Sequence, residues 1–215
     1  MKRQGFCIRL CTIGLFVLVL LSGCCDGGEE AVLFEDSFDD PRSGWGEDDR
    51  DEFERGYDRD EVYYIELYEP DWFAWARPGT RLSDIRVQVD ARTVSESQDA
   101  HYGVICRYAN VDNFYYFAVS ADGYYAIFRR KDGDMDILTG DGSGMLFSSA
   151  IKTGDQVNRV VAICQEDDLK LYANGGLLAS VTDDTHAKGD VGVGAGRGTD
   201  GRVRVHFDGF VVTAP

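Results

Sequence analysis

Alternation of apolar and polar residues over short runs, punctuated by Asn-Gly and Asp-Gly pairs, constrains this chain more than any other feature. In residues 85–91, Ile85, Val87, Val89 and Ala91 fall on one side of an extended backbone, and Arg86, Gln88 and Asp90 on the other. Residues 102–108 repeat the pattern, with Tyr102, Val104, Cys106 and Tyr108 opposed to Gly103, Ile105 and Arg107. Side chains on a strand alternate between faces, so a period of two marks a half-buried strand. Strand-like runs follow one another at 62–67, 72–76, 85–91, 102–108, 113–120, 124–130, 160–165, 169–173, 177–181, 191–196 and 203–212. Beyond the amino terminus no stretch sustains a helical period. Asp122-Gly123, Asp132-Gly133 and Asn174-Gly175 supply residues that tolerate the positive φ of tight hairpins. The 25 glycines, four prolines, 12 phenylalanines and 11 tyrosines suit a protein made of strands and turns. An antiparallel two-sheet sandwich is the expected fold class. Residues 46–61 are strongly acidic, with the run Asp48–Glu52 reading as a solvated loop, and 139–150 read as a long Gly/Ser-rich loop.

The amino terminus has a different character. Lys2, Arg3 and Arg9 precede an apolar run, Cys11–Leu21, that is too short to cross a bilayer comfortably, which takes about 20 apolar residues. It has the length of a signal-peptide core. The run ends in Leu21-Ser22-Gly23-Cys24, which resembles the bacterial lipobox. That resemblance implies cleavage before Cys24 and a lipid on its thiol. The expected organisation is a lipoprotein signal peptide over 1–23, a lipidated Cys24 with a tether over 24–31, and one folded domain over 32–215. The protein is then expected in the bacterial cell envelope, anchored to a membrane through Cys24 and exposed outside the cytoplasm.

Charge and cysteine usage narrow the partners. The formal net charge is −16, and loss of residues 1–23 would remove three more cations. A surface this acidic argues against nucleic acid, whose phosphates require a basic face. Of six cysteines, Cys106 and Cys164 alone fall within the strand-rich region, each inside a strand-like run. An oxidising envelope permits a disulfide between them; two separate buried thiols are the alternative.

Several short motifs occur together in a particular order. Phe34, Asp36, Phe38 and Gly44-Trp45 come first, followed by Tyr102-Gly103 with Arg107, and then Asp112 through Phe117. Ser120-Ala121-Asp122-Gly123-Tyr124, Leu171-Tyr172-Ala173-Asn174-Gly175, Gly189-Asp190-Val191-Gly192 and Phe207-Asp208-Gly209-Phe210 complete the set. In this order they resemble the concanavalin A-like jelly rolls of the laminin-G and glucanase superfamily, over about residues 32–213. The resemblance implies a two-sheet jelly roll. Because function resides in sites grafted onto folds, it says less about activity.

The glucanases of that superfamily carry Glu-x-Asp-x-x-Glu on one strand, and retaining hydrolysis needs two carboxyls about 5–5.5 Å apart. Among the strand-like runs the nearest, Asp84 to Asp90, places Arg86 and Gln88 between its acids. Its two aspartates would lie about 20 Å apart along a strand. No catalytic residue is assigned. Structural calcium is a candidate cofactor, since the relatives hold one where the first and last strands meet; Asp208, with Asp36, would be its ligands. Carbohydrate is the candidate partner, a polysaccharide or other glycan, because sugar rings present apolar faces edged with hydroxyls. Trp72, Trp75, Tyr115 and Tyr125 are the candidate platforms, and Arg107 the candidate polar centre. The alternative for Arg107 is a structural ion pair with Asp90 or Asp136. The expected function is therefore a surface-anchored lipoprotein with a non-catalytic glycan- or envelope-ligand-binding domain. The alternative is a divergent glycoside hydrolase or 3-keto-glycoside-cleaving enzyme on the same fold.

Overall fold

The computed structural model describes residues 31–95 and 97–215; the segment expected to be a signal peptide with a lipobox, and Cys24, lie outside the described residues. Among the described residues there is no helix. The strands are, in chain order, β1 (Val32–Asp36), β2 (Asp48–Asp49), β3 (Phe53–Tyr57), β4 (Tyr63–Leu67), β5 (Phe73–Ala76), β6 (Ile85–Thr93), β7 (Ala100–Asn110) and β8 (Asn113–Ser120). They continue with β9 (Tyr124–Lys131), β10 (Asp134–Ile137), β11 (Leu146–Phe147), β12 (Asn158–Gln165), β13 (Asp168–Ala173), β14 (Gly176–Thr182), β15 (Asp190–Arg197) and β16 (Val203–Thr213). A nine-stranded sheet runs β14-β13-β12-β6-β16-β4-β3-β2, with β1 also on β16. A seven-stranded sheet runs β10-β9-β8-β7-β15-β5, with β11 also on β9. The two sheets form the expected antiparallel jelly-roll sandwich.

The alternating residues meet between the sheets. Ile85, Val87, Val89 and Ala91 of β6 and Val160, Ala162 and Cys164 of β12 face Tyr102, Val104 and Cys106 of β7 and Tyr115, Phe117 and Val119 of β8. Burying an apolar side chain of this size contributes roughly 1.5–3 kcal/mol, so this layer dominates stability. Cys106 and Cys164 are joined by a disulfide, which ties one sheet to the other across this core. Asp132-Gly133 and Asn174-Gly175 both have positive φ at each residue, as tight hairpin turns require.

The Phe-x-Asp-x-Phe and Gly-Trp motif closes one end of the sandwich. Trp45 is buried against Phe38 and Phe210, with ring centroids 5.0 and 4.8 Å away. Asp36 fixes it: Trp45 Nε1 donates to Asp36 Oδ2 at 2.8 Å, and the Phe38 backbone N–H donates to Oδ1 at 2.8 Å. The acidic segment 46–61 contains strands β2 and β3, and β2 falls within the run read as a solvated loop. Asp48 sits opposite Arg55 in the register and pairs with its guanidinium, and opposite charges across a strand pair favour pairing. Likewise, Leu146 and Phe147 of the Gly/Ser-rich loop pair with Tyr125 and Tyr124 as β11.

Candidate functional site

The seven-stranded sheet carries a second apolar layer on its outer face. Residues alternating with the core set cluster there: Ile105 of β7, Phe114, Tyr116 and Ala118 of β8, with Phe73 and Trp75 of β5, Tyr108, Phe128 and Met145 packed against them. The rings form a continuous floor. Phe73 stacks on Trp75 (5.6 Å) and Phe114 (6.2 Å), Tyr108 stacks on Phe114 (5.5 Å), and Tyr116 stacks on Phe128 (5.7 Å).

Glycines on β15 make room for this floor. Val191, Val193 and Ala195 point into the core, and the alternate positions are Gly192, Gly194 and Gly196. A Cβ on Gly194 would lie 2.9 Å from Phe73 Cζ and 3.1 Å from Tyr116 Cε2; one on Gly196 would overlap the His101 ring. The bare backbone of β15 thus leaves room for the Phe73, Tyr116 and His101 rings. His101 Nδ1 shares a hydrogen bond of 3.1 Å with the Tyr116 hydroxyl, which also reaches the Gly194 carbonyl at 3.3 Å. Burial among these rings pushes His101 down to about 4, so it is neutral near pH 7. Burial likewise holds the Tyr116 hydroxyl well above its ordinary value.

Three recesses open along the floor. One, of about 270 Å³, is lined by Trp72, Phe73 and Trp75 together with Asp48, Arg50, Phe53 and Arg55. The second, about 290 Å³, lies beside Tyr108 and is lined by Arg77, Arg81, Lys188 and Asp190. The third, also about 290 Å³, lies beside His101 and includes Asp99, Ser120, Asp122, Tyr124 and Met145.

The structure divides the residues singled out in the sequence. Trp72 is exposed and Trp75 half-buried, and both line the first recess. Tyr115 lies in the inter-sheet core, where its hydroxyl donates to the Asp183 carboxylate and accepts the His186 backbone N–H at 3.1 Å. Burial first, then that carboxylate, pushes its hydroxyl up to about 12. Tyr125 sits opposite Val119 in the register and packs on the same inter-sheet core. Neither tyrosine belongs to the outer floor.

Arg107 departs most from the expectation. It is 2% exposed, with φ +53°, at an irregularity where β7 leaves register with β8 beyond Cys106. This bulge shifts the phase of alternation, so Tyr108 faces outward and Arg107 turns to the end of the core. There its guanidinium donates to the carbonyls of His186 (2.9 Å) and Ser83 (3.3 Å) and to Asp84 Oδ1 (3.2 Å). Its carboxylate partner is Asp84, while Asp90 pairs with Arg159 and Asp136 with Arg129. Arg107 is thus a buried structural cation and is not presented to a ligand.

At the β1–β16 junction, both oxygens of Asp36 accept the hydrogen bonds given above. Asp36 lines a cleft of about 600 Å³ with Asp39 and Asp40; Asp208 is exposed and is not part of that lining. Among the described residues, no group of three His, Cys, Asp or Glu side chains is placed to hold a metal.

The sequence reading missed Phe73, His101, Tyr108, Phe114, Tyr116 and Phe128 as members of one surface. The available signal was Gly192, Gly194 and Gly196 at alternate positions of a strand, which marks a face open to large neighbouring rings.

No family model matches the chain, and no curated protein is similar to it in sequence. Solved structures do match. A carbohydrate-binding module of the CBM66 type from Bacillus subtilis superposes with a TM-score of 0.59 at 13% identity, over 80% of this chain and 93% of that one. A β-glucanase from Bacillus licheniformis gives 0.62 at 9% identity, over 85% and 98%. The catalytic domain of a laminarinase from Thermotoga petrophila gives 0.55 at 8% identity, over 86% and 97%. The fold is concanavalin A-like, the class the motifs resemble.

Proposed function

We propose that this chain is a non-catalytic carbohydrate-binding protein of the bacterial cell envelope, tethered by lipid at Cys24. It takes a polysaccharide against the outer face of the seven-stranded sheet. The observation that carries this reading is the ring floor laid over the β15 glycines, flanked by Trp72 and Trp75. Phe114 and Tyr116 at its centre are buried, so the half-buried Phe73, Trp75 and Tyr108 and the exposed Trp72 are the rings that would meet the apolar faces of sugars, with the polar recesses beside them for the hydroxyls. Structures with this fold include a carbohydrate-binding module and glucanases, which supports glycan as the ligand class. Glu47-x-Asp49-x-x-Glu52 spells the glucanase pattern, but β2 spans only Asp48–Asp49 before a bend at 51–52, so these acids do not share one strand, which favours binding over hydrolysis by two flanking carboxyls.

Affinity electrophoresis of the full chain in detergent, across gels containing different polysaccharides, tests the reading. At least one polymer should retard the protein, and Trp72→Ala should weaken that retardation about tenfold, as expected for an aromatic contact residue. Trp72 is 38% exposed, so its removal should leave the urea midpoint nearly unchanged. Absence of retardation by every polymer, or equal retardation of wild type and variant, defeats the proposal. The anchor is tested separately. Cys24→Ala should release the protein from membranes, because stable anchoring takes more than one acyl chain and the lipoprotein pathway supplies at least two. A variant that stays with membranes after a high-salt wash excludes the lipid tether.

A further inference from the structure

We propose that the recess beside Tyr108 selects acidic sugars, holding a carboxylate or sulfate ester while the sugar ring lies on the aromatic floor. This rests on the reading of that floor as a glycan surface. The protein is strongly acidic, at −16 overall, yet this recess is cationic. Arg81 and Lys188 line it, both are exposed, and among the described residues neither has a carboxylate partner. The acid in the lining, Asp190, is already committed. It is 4% exposed, pairs with Arg77 at 2.7 Å, and accepts the backbone N–H groups of Gly79 (3.1 Å), Thr80 (2.7 Å) and Val191 (2.9 Å) and the Thr80 hydroxyl (2.8 Å). Arg77 and Asp190 cancel each other, which leaves Arg81 and Lys188 as uncompensated charge.

The recess is continuous with the floor through Tyr108. The Arg77 guanidinium lies 4.2 Å from the Tyr108 ring centroid, and Tyr108 stacks on Phe114. Arg130, which also has no ion-pair partner among the described residues, lies 5.9 Å from the Phe114 centroid. An anionic substituent on a sugar seated at the half-buried Tyr108 would therefore meet Arg81 and Lys188. A free anion would use the cations and leave the rings idle. An acidic sugar uses both.

The test uses the full chain in detergent, with polygalacturonate (carboxylate), dextran sulfate (sulfate ester), neutral laminarin and dextran, and poly-glutamate as an anion without sugar rings. The variant is Arg81→Ser/Lys188→Ser, whose side chains hold nothing in the fold. At least one acidic glycan should bind the wild type more tightly than the neutral polymers. The double variant should lose about tenfold of that affinity at an unchanged urea midpoint, and its affinity should depend less on salt. Preference for polygalacturonate makes the anion a uronate; preference for dextran sulfate makes it a sulfate ester; either supports the inference. Equal binding of poly-glutamate overturns it by reducing the site to a general anion patch, and undiminished binding by the double variant overturns it too. Binding of neutral glycans alone rejects acidic selectivity but leaves the glycan reading standing, whereas no binding to any polysaccharide rejects both.

Discussion

The left-handed backbone of Arg107 redirects a guanidinium from the sheet surface to the end of the core, where two carbonyls and Asp84 receive it. Arg107→Met should lower stability by roughly 2–4 kcal/mol, because it removes charged hydrogen bonds and leaves buried carbonyls unpaired; the urea midpoint reads the loss. An unchanged midpoint would contradict the structural role. His101 gives a second residue-level expectation. Its folded value of about 4 lies below the ordinary 6.5. Between those values the unfolded chain holds more protons than the folded one, so stability is complete above pH 6.5 and is lost as pH falls toward 4. The shift corresponds to about 3 kcal/mol. Burial also lowers His186 and His206, which adds to the same slope. Urea midpoints at pH 7 and pH 4.5 should therefore differ clearly, and His101→Gln should reduce that difference. The same pH dependence in wild type and variant would remove His101 from the account.

Strand β15 illustrates how one element serves two layers. Its inward Val191, Val193 and Ala195 are ordinary core residues, and its outward glycines define the height of the aromatic floor. Gly194→Ala should push Phe73 and Tyr116 off the sheet. Overpacking of this kind costs about 1–3 kcal/mol. Glycan affinity should fall more steeply than thermal stability, since the displaced rings form the proposed surface; calorimetry and a melting curve on the same sample separate the two. Strand β16 shows a different device. Val203, Val205 and Phe207 face the core, but after the irregularity at Asp208–Val211, where Gly209 has φ +58°, the core residues are Phe210 and Val212. The inserted residue shifts the phase by one, which allows a long strand to stay buried on the same side.

Across the whole molecule the Cys106–Cys164 disulfide fastens β7 of one sheet to β12 of the other. The cysteines are 58 residues apart, so in the chain-entropy model the cross-link contributes about 4 kcal/mol by restricting the unfolded chain. Reduction, or Cys106→Ala/Cys164→Ala, should lower the urea midpoint by a corresponding amount. Alkylation of both thiols in the denatured, unreduced protein would show the bridge to be missing. Acid should destabilise the folded protein in a second stage as well. Burial raises Asp183, but hydrogen bonds from Tyr115 and Thr185 and the Arg129 guanidinium outweigh it and hold the carboxyl below 3.8. That contribution is present above pH 3.8 and is lost as pH falls through the depressed value. Unfolding monitored below pH 4 should steepen, and Asp183→Asn should blunt this second stage.

The local chemistry of the chain was enough to specify strands, turns and layers. Period-two alternation marked the long strands, paired turn residues marked hairpins, and six ordered motifs pointed to a concanavalin A-like sandwich. It was also enough to restrict the bridge to Cys106 and Cys164. The short strands β2, β3, β10 and β11 were not legible, because they form through pairing partners and have little pattern of their own. The site was only half legible for the same reason. Trp72 and Trp75 stand out as aromatic residues wherever they lie, but which ring faces outward depends on register, and one bulge reverses the answer. Arg107 and Tyr108 exchanged faces through a single left-handed residue, and Tyr115 and Tyr125 went to the core with their strand's inward set. Side-chain direction along a strand is a local property only while the alternation is unbroken; bulges and strand order are decided by packing between distant segments, so the aromatic floor and its cationic recess belong to the tertiary structure alone.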